Sequence, residues 1–240
     1  MHQTTTNKPL KAIHIRYLDF WYARAFVVVV VALQLLIINH QFFIGPRWLF
    51  PSLEALLLVP LSFATAWTQW SARDAKTDEH WRTVAERRRL VRRLALVLTA
   101  LVSFTNFASL VALVSELLRG KLSVPGQSLL LDAMNIWATN VIAFALWFWN
   151  LDRGGPALCH LGADQVGDFL FPQMTRPELD KDWTPGFMDY FYVSFTNATA
   201  FSPTDTMPLT ARAKMLMLVE SAVSLMTLAL VAARAVNILK

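Results

Sequence analysis

Five apolar stretches, each long enough to cross a lipid bilayer as a helix, dominate this sequence of 240 residues. A helix that spans the hydrocarbon core needs roughly 20 mainly apolar residues. The stretches lie at about 24–44, 50–70, 94–118, 128–150 and 212–238. Each run is continuous rather than alternating, and backbone groups in lipid must be hydrogen-bonded within their own segment, so helices are expected rather than barrel strands. The sequence therefore predicts an all-α, multi-pass membrane protein with about five transmembrane helices.

The composition argues against a catalytic or metal-binding protein. Apolar residues make up 55% of the chain, well above the share in an ordinary soluble domain. The single cysteine, Cys159, excludes an intrachain disulfide, and the adjacent His160 alone does not make a metal site. No nucleophile–base pair stands at usable spacing. We therefore expect neither an enzyme nor a cofactor.

The distribution of basic residues predicts the orientation in the membrane. The tail before the first span holds four Lys or Arg residues and the first loop holds one, whereas the second loop, 71–93, holds eight and the third holds two. Under the positive-inside rule, the N-terminus and the second loop are cytoplasmic. The arginines of 87–93 are expected to attract anionic lipid headgroups, with a regulatory docking face as the alternative. Membrane topology already accounts for the basic stretch, so a nucleic-acid partner is not expected.

The last third of the chain follows the pattern of a re-entrant loop. Thr184 followed by Pro185 is typical of a helix start, and an aromatic helix is expected to run to about Thr196, too short to cross a bilayer. A short apolar helix, a polar segment and then a full span is the pattern of a loop that enters and leaves on one side. The predicted regions are a tail with an interfacial helix (1–22), a three-span region (23–127), and a pore-like module (128–240) made of an outer helix (128–150), a linker (151–183), a pore helix with a filter-like loop (184–205) and an inner helix (208–239).

This segment resembles the pore loop of two-helix potassium channels. The positions that match that family are Tyr192 and Ser194 in the pore helix, Thr199 as the first filter threonine, Asp205 as the closing aspartate, Pro208 and Thr210 beyond it, and the acidic Glu220 in the inner helix. Thr196 is also expected in the pore helix. The resemblance implies a homotetramer, because one chain cannot enclose such a pore, and monovalent cations as the permeant ions.

The filter-like loop, residues 199–205 (TAFSPTD), departs from the potassium filter at four positions. Ala200 replaces a threonine, Pro203 replaces the aromatic residue, and Ser202 and Thr204 replace both glycines. The potassium filter is a stack of backbone carbonyls, and its glycines reach left-handed angles at little cost. Proline fixes its own φ and favours an extended residue before it. We therefore expect ions to pass hydrated, with weak selectivity for potassium over sodium. Between these positions, Phe201 is expected either to form a hydrophobic constriction or to be a packing aromatic.

A second resemblance is to a bacterial integral-membrane family of unknown function with five hydrophobic segments and an Arg-rich second loop. Its last third contains Asp-x-x-Tyr-x-x-Phe-Thr, then Phe and Asp before the last span, and a Val-Asn-hydrophobic ending. The matching residues are Asp189, Tyr192, Phe195, Thr196, Phe201, Asp205 and Val236-Asn237-Ile238. The resemblance implies this architecture and a place in the bacterial inner membrane, and it carries no activity.

Polar residues on three spans share helical faces. On the last span, one face carries Glu220, Ser224, Thr227, Val231 and Arg234. This face is expected either to line a water-filled pore, with Glu220 attracting cations, or to pack against other helices, with Glu220 paired to Arg212 or Lys214. Hydrogen bonds between helices are expected for the polar residues of the third and fourth spans, which are Thr99, Ser103, Asn106, Asp132, Asn135 and Thr139.

The hypothesis that follows is a homotetrameric cation pore. Five spans from a cytoplasmic N-terminus place the C-terminus outside, so the loop enters from the cytoplasm, opposite to potassium channels. Either the pore is inverted, as in the glutamate-receptor channels that it then resembles, or the span count is off by one. Two alternatives stay open. One is a non-conducting membrane scaffold or signalling subunit with a sealed loop, and the other is a small-solute transporter, against which the lack of an internal repeat counts.

Overall fold

Nearly all of the regular structure in this chain is α-helical. The computed structural model describes residues 17–37, 49–73, 78–118, 126–155, 167–176, 178, 183–201 and 205–238. The six helices are α1 (Tyr17–Ile37), α2 (Leu49–Arg73), α3 (Asp78–Leu118), α4 (Gly126–Leu151), α5 (Phe187–Ala200) and α6 (Ala211–Ile238). Two short strands, β1 (Phe169–Leu170) and β2 (Met207–Pro208), pair antiparallel.

Four of these helices are long and apolar enough to cross a membrane, as a multi-pass membrane protein requires. The segments are Leu18–Leu35, Arg89–Ser115, Leu130–Gly154 and Ala211–Ala232. They belong to α1, α3, α4 and α6, and each overlaps a stretch predicted to span, although Leu18–Leu35 begins before the predicted start at about 24. The remaining predicted span corresponds to α2, in which the apolar segment Pro51–Phe63 is shorter.

Helix α4 forms the centre of the bundle. It packs against α1, α3, α5 and α6, whereas α2 packs against α1 and α3. In the apolar segment of α4, 67% of the residues are buried, compared with 22% in that of α6. Helix α6 is therefore peripheral in the single chain, with one side on α4 and α5 and a broad apolar side uncovered.

Two hydrophobic clusters occupy opposite ends of the bundle. The larger cluster joins the first half of α1, the second half of α4 and the start of α5, and its largest fully buried side chains are Phe148, Phe169 and Phe187. The smaller cluster joins Leu110 and Leu113 of α3 to Ile136 of α4. The larger, aromatic cluster surrounds the end of α4, so this end of the bundle is packed more extensively than the opposite end.

Helix α4 ends where the backbone turns left-handed. Arg153, Gly154 and Gly155 all have positive φ, at 50°, 78° and 78°. A Cβ atom at Gly155 would lie 2.5 Å from the carbonyl oxygen of Asn150, so only glycine fits there. β1 and β2 pair beside this end of α4, where the ring of Phe169 lies 5.1 Å from that of Phe148.

Some of the expected hydrogen bonds between helices are present. The indole Nε1 of Trp147 on α4 donates to Ser103 Oγ on α3 at 2.9 Å. Asn135 Nδ2 reaches the Leu33 carbonyl oxygen of α1 at 3.5 Å. The hydroxyl of Thr99, in contrast, donates within α3 to the Ala95 carbonyl at 2.8 Å. Thus α4 is tied to its neighbours by side-chain hydrogen bonds as well as by apolar packing.

Candidate functional site: a half-length helix held by a buried carboxylate

Helix α5 starts at the end of the bundle where α4 ends and α1 begins. The ring of Phe187 lies 5.4 Å from the ring of Phe26 on α1 and 5.4 Å from that of Trp149 on α4. One turn later, Tyr190 donates its hydroxyl hydrogen to Oδ2 of the buried Asp152 at 2.5 Å. The start of α5 is therefore fixed by an aromatic cluster and by one buried carboxylate.

The first turn of α5 differs in detail from the sequence prediction. Gly186, rather than Thr184, occupies the N-cap position, and its backbone N–H donates to Asp189 Oδ2 at 2.7 Å. A Cβ at Gly186 would lie 2.7 Å from Asp19 Oδ1, so a larger residue there would require the Asp19 side chain to shift. A Thr-Pro helix-start pattern does not reveal this contact with α1.

The second half of α5 is joined to the middle of α4 and α6. Ser194 Oγ lies 2.7 Å from the Val141 carbonyl oxygen of α4, and its one hydroxyl hydrogen is shared between this oxygen and Glu220 Oε1. Asn197 Nδ2 donates to two acceptors on α6, the Met217 carbonyl at 3.0 Å and Glu220 Oε2 at 2.7 Å. These contacts lie far from the anchor at Asp152, so α5 runs from one end of the bundle into its interior.

Glu220 is the centre of these contacts. Its side chain is fully buried, and its other carboxylate oxygen, Oε1, is hydrogen-bonded to Ser194 Oγ. The Nδ2 group of Asn140 on α4 donates to the Glu220 backbone carbonyl at 3.2 Å and to Ser224 Oγ at 3.0 Å. A single acidic residue thus connects α4, α5 and α6, and both of its carboxylate oxygens have hydrogen-bond partners, as a buried polar group requires.

After α5 the chain makes a second set of contacts beside the end of α4. In the β1–β2 pair Phe169 lies opposite Pro208, and Leu209 N donates to the Asp168 carbonyl at 2.8 Å. The Asp168 carboxylate accepts a hydrogen bond from Thr210 Oγ1 at 2.5 Å and pairs with Arg212. The Asp168 backbone N–H in turn donates to Asp152 Oδ1 at 2.5 Å. The start of α5 and the start of α6 are therefore attached to the same pair of aspartates.

The pore-helix positions divide between the inside and the outside of the chain. Ser194 is fully buried, Thr196 is partly buried, and Tyr192 is 51% exposed. The exposed side of α5 continues through Phe195. Only Ser194 therefore belongs to the cluster around Glu220.

Helix α5 continues further than the sequence predicted. Thr199 and Ala200, expected in the filter-like loop, lie in its last turn, and Thr199 Oγ1 donates to the Phe195 carbonyl at 2.8 Å. No glycine or proline lies between Gly186 and Pro203. The helix nevertheless stops at Phe201, which has a left-handed backbone (φ 55°) and an exposed ring. Residues 202–204 lie outside the described part of the chain. Asp205 is exposed and accepts from Thr206 Oγ1 at 3.3 Å.

The polar face of α6 points into its own chain. Glu220, Ser224 and Thr227 are each fully buried against neighbouring helices of this chain, so they are not on the outer surface, where residues that line a pore between subunits would lie. The burial fits the packing interpretation, although the partners of Glu220 are Ser194 and Asn197 rather than Arg212 or Lys214. Arg212 instead pairs with Asp168. Val231 packs beside the smaller hydrophobic cluster. The side chain of Arg234 is not among those that the structure describes.

A buried glutamate on α2 was not predicted from the sequence. Glu54 of α2 is fully buried, and its Oε1 accepts from Thr105 Oγ1 of α3 at 3.0 Å and from Gln34 Nε2 of α1 at 3.4 Å. A lone glutamate within the apolar run LEALLL was a usable signal, because a carboxylate inside the membrane is costly and rarely incidental. Asn140 and Asn197 were also missed, and no local pattern distinguishes them.

Within the described residues no group of three His, Cys, Asp or Glu side chains could hold a metal ion. No protein-family model, curated protein or solved structure matches this chain. The site is thus characterised by its own geometry.

Proposed function

We propose that this chain is one subunit of a homotetrameric pore-loop assembly in which α5 is a re-entrant helix and α6 is the inner helix. The observation that carries the proposal is the attachment of both ends of the α5 segment beside the end of α4. Tyr190 bonds Asp152 there, and β2 pairs with β1 at the same place. Two anchors on one side are what a re-entrant loop requires.

The lengths of the segments support this arrangement. Helix α5 has 14 residues, so it extends about 21 Å, less than the hydrocarbon core of about 30 Å. The seven steps from Ala200 to Met207 can cover at most about 25 Å when extended. An extended return from the inner end of α5 to β2 is therefore feasible, whereas a full crossing by α5 is not.

The uncovered side of α6 supports an assembly of several chains. Leu218, Val219, Leu225 and Met226 are all exposed on this side, whereas Glu220, Ser224 and Thr227 face inward. In the proposed tetramer, part of this apolar side faces the shared axis and part faces lipid or a neighbouring subunit. An apolar wall offers no ligands for a bare ion, so monovalent cations would pass hydrated and with weak selectivity.

The burial of Glu220 changes its proposed role. A carboxylate hydrogen-bonded to Ser194 and Asn197 inside one chain is well placed to position α5 and poorly placed to attract ions on a shared axis. We therefore assign Glu220 to the support of the loop. Any preference for cations would come from the segment that follows α5, where Asp205 is exposed.

The orientation of the proposed pore follows from the charge distribution. The start of α1 lies beside the start of α5, since Phe26 contacts Phe187. If the basic second loop is cytoplasmic, so is the start of α1, and the loop enters from the cytoplasm. This is the inverted arrangement, in a bacterial inner membrane.

Ion flux through purified protein in liposomes tests the proposal. Potassium, sodium and chloride gradients are imposed separately on wild type, Phe201→Ala and the control Phe107→Ala; Phe201 and Phe107 are both exposed, but Phe107 lies on α3. We expect similar potassium and sodium flux, less chloride flux, and a change in rate for Phe201→Ala alone. Equal effects of both variants, or flux of chloride at the cation rate, would contradict a cation pathway through this loop.

A non-conducting scaffold with the same fold is the second candidate. The observation that favours it is the inward-facing polar stripe of α6, which leaves no charged side chain on the exposed stretch from Met215 to Leu228. This alternative predicts an intact oligomer that passes no ion under any gradient. Silent liposomes that contain a verified tetramer would therefore replace the pore proposal by the scaffold.

A further inference from the structure

A cleft lies among the first four helices, away from the Glu220 cluster. It is open on one side, and its enclosed volume is about 50 Å³. Its walls come from the first half of α1, the apolar part of α2, the segment of α3 near residue 95, and the last residues of α4. Since Phe20 of α1 contacts Trp149 of α4 beside it, at 5.3 Å between ring centroids, the cleft opens near the end of the bundle where α1 begins.

Two arginines line this cleft, and no aspartate or glutamate lines it among the residues that the structure describes. Arg24 of α1 is 9% exposed, and its guanidinium carbon lies 5.1 Å from the centre of the Trp21 ring. The Nε atom of Arg92 on α3 is buried and has no hydrogen-bond partner within the described part of the chain. A buried, unpaired donor on a charged group is costly. An anion in the cleft would offset that cost.

The remaining walls are mainly apolar. Val27, Leu58, Leu61 and Leu98 line the same cleft as Arg24 and Arg92. A small inorganic anion would pair with the arginines and leave these walls uncovered. A ligand with an anionic head and a hydrocarbon tail would satisfy both parts. Guanidinium groups also match phosphate geometry, since they donate parallel hydrogen bonds to two oxygens.

We propose that the cleft binds an anionic phospholipid, whose phosphate lies between Arg24 and Arg92 and one of whose acyl chains lies along the apolar wall formed by α2 and α3. The site differs from general attraction of basic residues to a charged membrane surface, because it is a cleft with two defined side chains. Arg93, the next residue on α3, is exposed and does not line it. The site is independent of whether the protein conducts ions.

Native mass spectrometry of the full-length purified protein tests this site. Wild type is titrated with phosphatidylglycerol, with phosphatidylcholine of the same acyl chains, and with inorganic phosphate as competitor. We expect one phosphatidylglycerol per chain to be retained about tenfold more strongly than phosphatidylcholine, because both lipids carry a phosphate but the positive choline group of the second is repelled by the two arginines. Inorganic phosphate should not displace it. Equal retention of the two lipids, or displacement by phosphate, would overturn the proposal without any variant.

The variants Arg92→Gln and Arg24→Gln assign the head-group contacts, with Arg93→Gln as the matched control. Each removes one positive charge, but only the first two remove it from the cleft. We expect about a tenfold loss of phosphatidylglycerol retention for each cleft variant and less than about a twofold change for the control. A similar loss in all three would indicate diffuse surface attraction and would overturn the site. If Arg24→Gln does not fold, Arg92→Gln against Arg93→Gln still decides.

Discussion

The two buried glutamates of this protein, Glu220 and Glu54, are similar in burial and different in bonding. Both side chains are fully buried. The oxygens of Glu220 bond to Ser194 and to Asn197, the latter at 2.7 Å. Glu54 receives its bonds on Oε1 alone, and within the described residues its Oε2 has no partner. One carboxylate is thus integrated in a network, and the other is only partly satisfied.

The difference shows where the structure depends on a polar group. Removing one member of a satisfied buried network leaves other groups without partners, whereas a partly satisfied group already carries much of its burial cost. The Glu220 cluster joins three helices and holds α5 in place. The Glu54 cluster joins α1, α2 and α3, which also pack by apolar contact. The half of the molecule with the half-length helix should therefore be the more sensitive to substitution.

The largest effect is expected for Glu220→Leu, with Glu54→Leu as its matched control. Leucine is of similar size and accepts no hydrogen bond, so Ser194 and Asn197 each lose one partner. We expect Glu220→Leu to lower the free energy of unfolding by about 3 kcal/mol, and Glu54→Leu by about 1 kcal/mol or less, because relief of burial cost offsets its lost bonds.

The measurement is unfolding in mixed detergent micelles, followed by loss of helical circular dichroism. Proteolysis between residues 183 and 205 provides a local measure of whether α5 has detached. Equal losses of stability in the two variants would show that the bonding difference between the two glutamates has no energetic consequence.

A smaller effect is expected for Tyr190→Phe, which tests whether α5 depends on Glu220 alone. Phenylalanine keeps the ring that packs at 5.3 Å from Phe171 and removes the hydroxyl that bonds Asp152. We expect a loss of about 2 kcal/mol in the free energy of unfolding, since a bond to a buried carboxylate is removed.

Tyr192→Phe is the control for that variant, because Tyr192 is on the same helix and half exposed. Its expected change is close to zero. If Tyr190→Phe is as mild as its control, the start of α5 is held by aromatic packing, and the network around Glu220 is the principal polar attachment.

The sequence predicted the elements of this fold better than their contacts. Long apolar runs predicted α1, α3, α4 and α6. A helix in lipid must satisfy its own backbone groups and cross the whole hydrocarbon core, so its length alone is visible in the sequence. The short helix before the last span was also predicted, since an aromatic run follows a Thr-Pro pair that is typical of a helix start. Its exact limits were not, because Gly186 and Phe201 cap it through contacts and angles that depend on the surrounding chain.

The polar face of α6 illustrates what a periodic pattern leaves open. The spacing of Glu220, Ser224 and Thr227 fixed them on one side of a helix, but a pore wall and a packing surface have the same spacing. Whether the face is a pore wall or a packing surface depends on its partners Asn140 and Ser194. These residues lie 80 and 26 positions away from Glu220 in the sequence. The same limit applies to Glu54, whose residue type was informative and whose partners Gln34 and Thr105 were not identifiable.

The smallest effects are expected for the hydroxyl groups beside the two glutamates, and their ratio is the finest test of the comparison. Ser194 Oγ bonds the Val141 carbonyl of another helix as well as Glu220, whereas Thr105 Oγ1 bonds Glu54 and the Val102 carbonyl of its own helix. Ser194→Ala therefore removes contacts between helices and should cost about 1.5 kcal/mol in the free energy of unfolding, while Thr105→Val should cost about 0.5 kcal/mol.

Ser115→Ala, which removes only an exposed bond within α3, controls for loss of a hydroxyl. A cost for Thr105→Val as large as that for Ser194→Ala would mean that the Glu54 cluster also holds its helices together through hydrogen bonds, in spite of its unpaired oxygen.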